Sequence, residues 1–290
     1  MSIDSIRGTL IQLLETERLF GVREVPVARR SGGVARGIVE ATRAGAAASA
    51  DASHARLLQP GPETLPQRPA PKPAPGTRAA VGPTPLIGAS DDERVIRLRT
   101  IDETRVKGCT KCGLGHTRTH TVFGQGHVGA RLVFVGEAPG FDEDQSGLAF
   151  VGKAGQLLTR MIEAMGLTRD DVFICNVLKC RPPDNRAPAP DEIIACRPYL
   201  FEQLAIIAPE VIIALGAPAA QTLLNTRESI GRLRGRFHDF YISGPLGSGT
   251  PVPLMPTYHP AYLLRSPGEK GKAWDDLQKV MAKLGLPPRR

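Results

Sequence analysis

Five cysteines stand in this 290-residue chain: Cys109, Cys112, Cys175, Cys180 and Cys196. Cys109 and Cys112 form a C-x2-C pair, fifteen residues separate Cys180 from Cys196, and Cys175 lies inside an apolar run. An odd count with no export signal argues metal ligation rather than a disulfide framework. Four thiolates complete one site, and the fifth is then a small buried apolar side chain. Zinc accepts four thiolates, usually as two close pairs. One close pair with two scattered ligands equally suits an iron–sulfur cluster. The spacing leaves both open, and the Gly-Leu-Gly turn after the close pair disfavours a site with no metal.

A second constellation lies in "FVGEAPGFDEDQSGLAFVG", Phe134 to Gly152. An apolar run ends in Gly136, then come Glu137, Ala138, Pro139, Gly140 and three more carboxylates, Asp142, Glu143 and Asp144. The glycine spacing fits neither the dinucleotide fingerprint nor the P-loop. Further on, Asn176 ends another apolar run, and His259 precedes a proline after a third. No serine nucleophile elbow and no Cys/His pair is evident. Asn offers a donor and an acceptor suited to the Watson–Crick edge of a base. His donates to a developing anion. Phe150 stacks on a flat ring or, on the plainer reading, fills the core. An isolated Asn or His at such places is ordinarily structural; their joint position describes a pocket for a planar heterocycle.

The elements that would bring these residues together can be read from periodicity. Residues 1–25 carry Ile3, Ile6, Leu10, Leu13, Leu14 and Phe20 at helical spacing, an amphipathic helix. Residues 26–89 are rich in alanine, proline, glycine and arginine with no sustained period, and are expected to be a disordered tether. The folded domain is expected over 90–290. Its strands are predicted at Arg131–Val135, Val172–Val177, Val211–Leu215 and Val252–Met255, the first three rich enough in Val and Ile to be buried on both faces. Helices are predicted between them, with Pro198 opening the second part of the long segment after Asp191. Alternating strands and helices give a three-layer α/β/α fold around a mainly parallel four-stranded sheet. Ligands bind at the carboxyl ends of such strands, where Glu137, Asn176 and His259 converge.

Composition bounds the partners. Hydrophobic residues make up 41%, the formal net charge is +8 and the pI is near 9.5, a balance that favours a polyanion. No apolar run reaches the length of a membrane span, and the N-terminus carries acids in its apolar part, unlike a signal peptide. A cytoplasmic monomer with no membrane partner is expected.

Taken together, "VGEAPGFDEDQSGLAFVGKAGQLL", "NVLKCRPPDNRAPAPDEIIAC" and "YHPAYLLR", preceded by "CTKCGLGHTRTHTVFGQG", resemble the family-four, iron–sulfur uracil-DNA glycosylases over roughly 91–286. The resemblance implies a 4Fe-4S cluster on Cys109, Cys112, Cys180 and Cys196. It implies a uracil pocket of Gly136, Glu137, Ala138, Glu143, Phe150, Asn176 and His259. Within it Phe150 stacks, Asn176 reads the base edge, His259 contacts the uracil carbonyl, and Glu143 crowds the C5 position against thymine. Leu263, Leu264 and Arg265 match a loop that wedges into the duplex. Lys153, Arg181 and Arg186 are expected to hold the DNA backbone. Some other branches have a water-activating aspartate where this chain has Ala138, which leaves Glu137 as the candidate for positioning water. A sister branch forms a covalent adduct through a histidine in a basic insertion; "CRPPDNRAP" has neither, so turnover is expected.

The implied activity is hydrolysis of the N-glycosidic bond of deoxyuridine, in single strands or U·G mismatches, without strand cleavage. The rival readings are a non-catalytic nucleic-acid-binding module with a structural four-cysteine zinc site, and a nucleoside hydrolase. The second lacks an aspartate cluster for calcium and ribose. The N-terminal extension lies outside the resemblance, and its partner is unassigned.

Overall fold

The four apolar runs do become strands, because each is covered on both sides. The computed structural model describes residues 83–242 and 251–288. The predicted N-terminal helix, and the predicted tether up to residue 82, lie outside the described residues. Within the expected tether, Leu86 already donates its N–H to Ala205 O at 2.7 Å, and its own carbonyl accepts from Arg94 Nη2 at 3.1 Å. The domain therefore reaches back at least to Leu86.

In chain order the elements are α1 (Asp91–Ile101), β1 (Gln125–Gly126), β2 (Leu132–Gly136), α2 (Phe141–Ser146), α3 (Lys153–Ala164) and β3 (Phe173–Asn176). Then come α4 (Pro190–Ile207), β4 (Val211–Leu215), α5 (Ala217–Leu224), α6 (Ile230–Leu233), β5 (His238–Phe240), β6 (Val252–Thr257), α7 (Pro260–Arg265) and α8 (Lys270–Leu284). Short 3-10 turns and one π turn connect them.

The sheet has six strands in the order β1-β3-β2-β4-β6-β5, not four. The inner four are the predicted ones and are mutually parallel. The two extra strands pair antiparallel at the edges. They run two and three residues, too short for a period of two to show in sequence.

Successive side chains along a strand point to opposite faces, and the two faces build two cores. Val133, Val135, Ile212 and Ala214 pack with Leu200 and Leu204 of α4 and Leu98 of α1. Leu132, Phe134, Ile213 and Leu215 pack with Leu158 and Met161 of α3 and Leu277 and Val280 of α8. Burying one such side chain is worth about 1.5–3 kcal/mol, so the doubly covered strands are the rigid part of the molecule.

Pro198 does not open a new helix. It lies inside the continuous α4. It is exposed, as is Ile194 one turn before it, so the carbonyl that a helical N–H would have capped meets water instead.

Candidate active site

The carboxyl ends of β2, β3 and β6 open on one cavity of about 430 Å³, lined by Glu137, Ala138, Gly140, Glu143, Phe150, Asn176, His259 and Arg265 among others. Residues far apart in sequence are thus brought together as expected.

The turn after β2 is stitched to the bend after β3. Val177 N donates to Gly136 O at 2.9 Å and Leu178 N to Glu137 O at 3.0 Å. Gly136 has no room for a side chain: a Cβ there would overlap Asn176 Oδ1 and lie 2.6 Å from Phe150 Cζ. Asn176 is buried, and its Oδ1 accepts no hydrogen bond from the described residues. A buried acceptor left without a donor costs about 1–3 kcal/mol, so this oxygen is built for a donor arriving from the cavity. Burial raises the Glu137 carboxyl above its ordinary range.

The acids of the turn serve the backbone. Glu143 accepts from Gly140 N at 3.0 Å and from Val151 N and Gly152 N, each at 2.9 Å. Asp144 is buried and accepts from Thr119 N at 2.9 Å. Between these braces Phe150 holds φ at 54°, a conformation that bulky residues avoid. Arg169 fixes it from behind through the carbonyls of Ala149 at 2.7 Å and Phe150 at 3.3 Å. Gly155 permits it, since a Cβ there would run into the Phe150 carbonyl. The sequence reading missed Arg169, which lies in a polar turn before β3 with no signal to single it out.

His259 caps the N-terminus of α7. Its Nδ1 accepts from Ala261 N at 3.1 Å, so the ring proton of the neutral imidazole is on Nε2. Loss of solvent, and secondarily the Arg265 charge, lower its pKa to about 4. It is therefore a neutral N–H donor at pH 7. Its ring stands 5.7 Å from that of Phe150, centroid to centroid. Gly216, at φ 88°, backs it closely.

The rim differs in part from expectation. Leu263 is fully buried, whereas Leu264 is 42% exposed. A helix turns about 100° per residue, so of two adjacent leucines in α7 only one faces out. Arg186 lines the cavity with its side chain 46% exposed, and is held in a two-pronged ion pair to the buried Glu192, at 2.6 and 2.9 Å. Arg181 donates to Asn185 Oδ1 at 2.7 Å and lies over the Phe141 ring. Lys153 is exposed at the start of α3 and Arg265 lines the cavity.

Cys109, Cys112, Cys180 and Cys196 all line one small space beside α4, while Cys175 is buried elsewhere in β3. Three of the four sulfurs already meet donors: Arg118 Nη1 to Cys180 at 3.2 Å, Lys179 N to Cys196 at 3.2 Å and Tyr199 Oη to Cys109 at 3.4 Å. Burial pushes the Cys196 thiol up to about 11. Among the described residues, no three Cys, His, Asp or Glu side chains are set to hold a single metal ion.

Lys179 joins the two regions. It is 1% exposed. Its Nζ donates to Asn176 O at 2.8 Å and to Gln203 Oε1 at 2.5 Å, and Gln203 Nε2 donates to Phe123 O at 2.8 Å.

The fold is a doubly wound α/β sheet with an aromatic ring, a buried amide and an imidazole gathered in one pocket at its strand ends. The chain belongs to the uracil DNA glycosylase superfamily, whose family profile matches residues 123–278. It is 47% identical to the type-4 uracil-DNA glycosylase of Thermotoga maritima over 170 residues, 58% of this chain and 84% of that one. With the type-4 uracil-DNA glycosylase of Saccharolobus solfataricus it shares 45% over 188 residues, 63% of this chain and 85% of the relative. A type-5 uracil-DNA glycosylase of Pyrobaculum aerophilum is more distant, at 29% over 153 residues, 48% of this chain and 64% of the relative.

Proposed function

We propose that this chain excises uracil from DNA by hydrolysing the N-glycosidic bond, leaving an abasic site. The observation that carries the reading is the buried, unpartnered Asn176 Oδ1 at the pocket. An acceptor there matches the ring N3–H of uracil, and the amide N–H matches O4. Cytosine presents the opposite pattern on both atoms.

The reacting nucleotide leaves the stack, which costs a few kcal/mol and least in a single strand or a U·G mismatch. Phe150 takes the face of the base. As the C1′–N1 bond breaks, its electron pair goes to the uracil ring, and His259 Nε2–H donates to the carbonyl oxygen where negative charge grows. Water bonds to C1′, and the proton it gives up ends on the uracil anion, which leaves as neutral uracil. Glu137, at the cavity wall with its carboxyl pKa raised, is the group assigned to hold that water. Lys153, Arg181, Arg186, Leu264 and Arg265 face the DNA in this reading, without the buried Leu263.

Cys109, Cys112, Cys180 and Cys196, which line one small space, are the residues that would hold a 4Fe-4S cluster. Bound there, the cluster would cross-link the chain around Cys109, the bend at Cys180 and α4. A non-catalytic zinc module leaves the pocket and its orphan acceptor without a purpose.

The test is release of labelled uracil from single-stranded and U·G oligonucleotides by excess purified protein. Free uracil with an alkali-labile site is expected. Binding without base release overturns the proposal.

A further inference from the structure

We infer that Phe141, capped by Arg181, is a stacking platform for a base next to the extruded one, and that it makes excision depend on the neighbouring nucleotide. The inference rests on the uracil-excision reading of the adjoining pocket.

Phe141 is 56% exposed, and it is the exposed phenylalanine among the described residues. A large aromatic surface left in water is unusual without a ligand to cover it. It follows directly on Gly140, which lines the cavity, while Phe141 itself is not part of the cavity wall. The Arg181 guanidinium lies 5.1 Å from its centroid and is itself fixed by Asn185, another cavity-lining residue. A ring under a planar cation, braced from two loops, is a rigid flat surface of the kind on which bases stack irrespective of sequence. The charges beside it argue for a base rather than a phosphate. Asp142 on α2 and Asp184 in the turn Pro183–Asn185 are exposed on the same two segments, and carboxylates repel the backbone. The basic side chains that suit phosphate, Lys153 and Arg265, sit on α3 and α7.

The experiment compares kcat/KM for single-stranded oligonucleotides carrying one uracil, flanked by normal bases or by a tetrahydrofuran spacer on the 5′ or the 3′ side. With the wild-type protein, one spacer position is expected to lower kcat/KM about 5- to 100-fold, the range that one base–aromatic stack supplies. Phe141→Ala should lose that dependence and be uniformly slow, while Phe141→Trp should keep it. Single-turnover rates at saturating protein should differ little among the three. Equal spacer effects in wild type and Phe141→Ala overturn the inference, as does a wild type indifferent to the spacer on either side. A wild type with no uracil release at all rejects the underlying reading instead. Unchanged melting temperature and iron content in Phe141→Trp check that the fold is kept.

Discussion

Gly136 and Asn176 are paired in register across β2 and β3, and Asn176 Oδ1 occupies the volume that a Cβ on Gly136 would take. The smallest residue and the base-reading amide thus share one site. Gly136→Ala should push the amide and Phe150 away, costing roughly 1–3 kcal/mol of stability as overpacking does. A displacement near 1 Å at a reacting centre can lower a rate by about 10², and single-turnover excision beside a thermal melt reads both effects.

Asn176→Asp changes the edge that is read. A carboxylate accepts from the exocyclic amine of cytosine, which uracil lacks. The ratio of cytosine to uracil release, measured on matched oligonucleotides, is expected to rise while total activity falls. A ratio identical to wild type would remove Asn176 from the pocket chemistry.

His259→Ala removes a donor that acts as charge develops, so it should slow single-turnover excision by about 10²–10³ with little change in DNA affinity. The pH dependence has a defined sign. The folded protein keeps His259 neutral down to about 4, against an ordinary 6.5. Between those values the unfolded chain takes up a proton that the folded one refuses. This contribution to stability is therefore complete above 6.5 and is lost as pH falls towards 4. Denaturant melts across that window should show a steeper slope for wild type than for His259→Ala.

Glu143→Ala deprives three backbone N–H groups of their acceptor. A loss of at least about 1.5–3 kcal/mol is expected, the worth of one hydrogen bond to a charged group, together with slower uracil release as Phe150 relaxes. Both carboxylate oxygens already serve the loop, so thymine release is not expected to appear. Denaturation and a thymine-release assay separate bracing from direct contact with the base.

Iron analysis checks the cysteine site. About four irons per chain and a broad visible absorption are expected. Cys175→Ser should keep them, and Cys109→Ser or Cys196→Ser should lose them. Stoichiometric zinc in anaerobically purified protein would sink the cluster.

Much of this was legible in the sequence because burial on both faces writes an unbroken apolar run, as in β2, β3 and β4. β6 was found only to Met255, since Pro256 masks its last turn towards His259. The edge strands left no trace, being shorter than any period. Within the site, the residues that face the cavity carry unusual types in unusual places, and these could be read. The residues that hold them are ordinary. Arg169 looks like any polar-turn arginine, and Lys179 like a surface lysine beside a cysteine. Leu263 and Leu264 are the same letter twice, and only the rotation of α7 decides which is core.

The bend from Val177 to Cys180 is tied at every residue. Val177 and Leu178 are buried and stitch the turn after β2, Lys179 reaches back to Asn176 and across to Cys196, and Cys180 meets Arg118. Its consequence is a difference in how the chain tolerates changes of length. One residue added after Leu178 shifts Cys180 against Asn176 and should abolish iron retention and uracil release together. One residue added after Asp184, in the exposed turn Pro183–Asn185, should keep the iron and the single-turnover rate, and disturb only the Arg181–Asn185 contact. Family members ought accordingly to vary in length in the second place and to stay in step in the first.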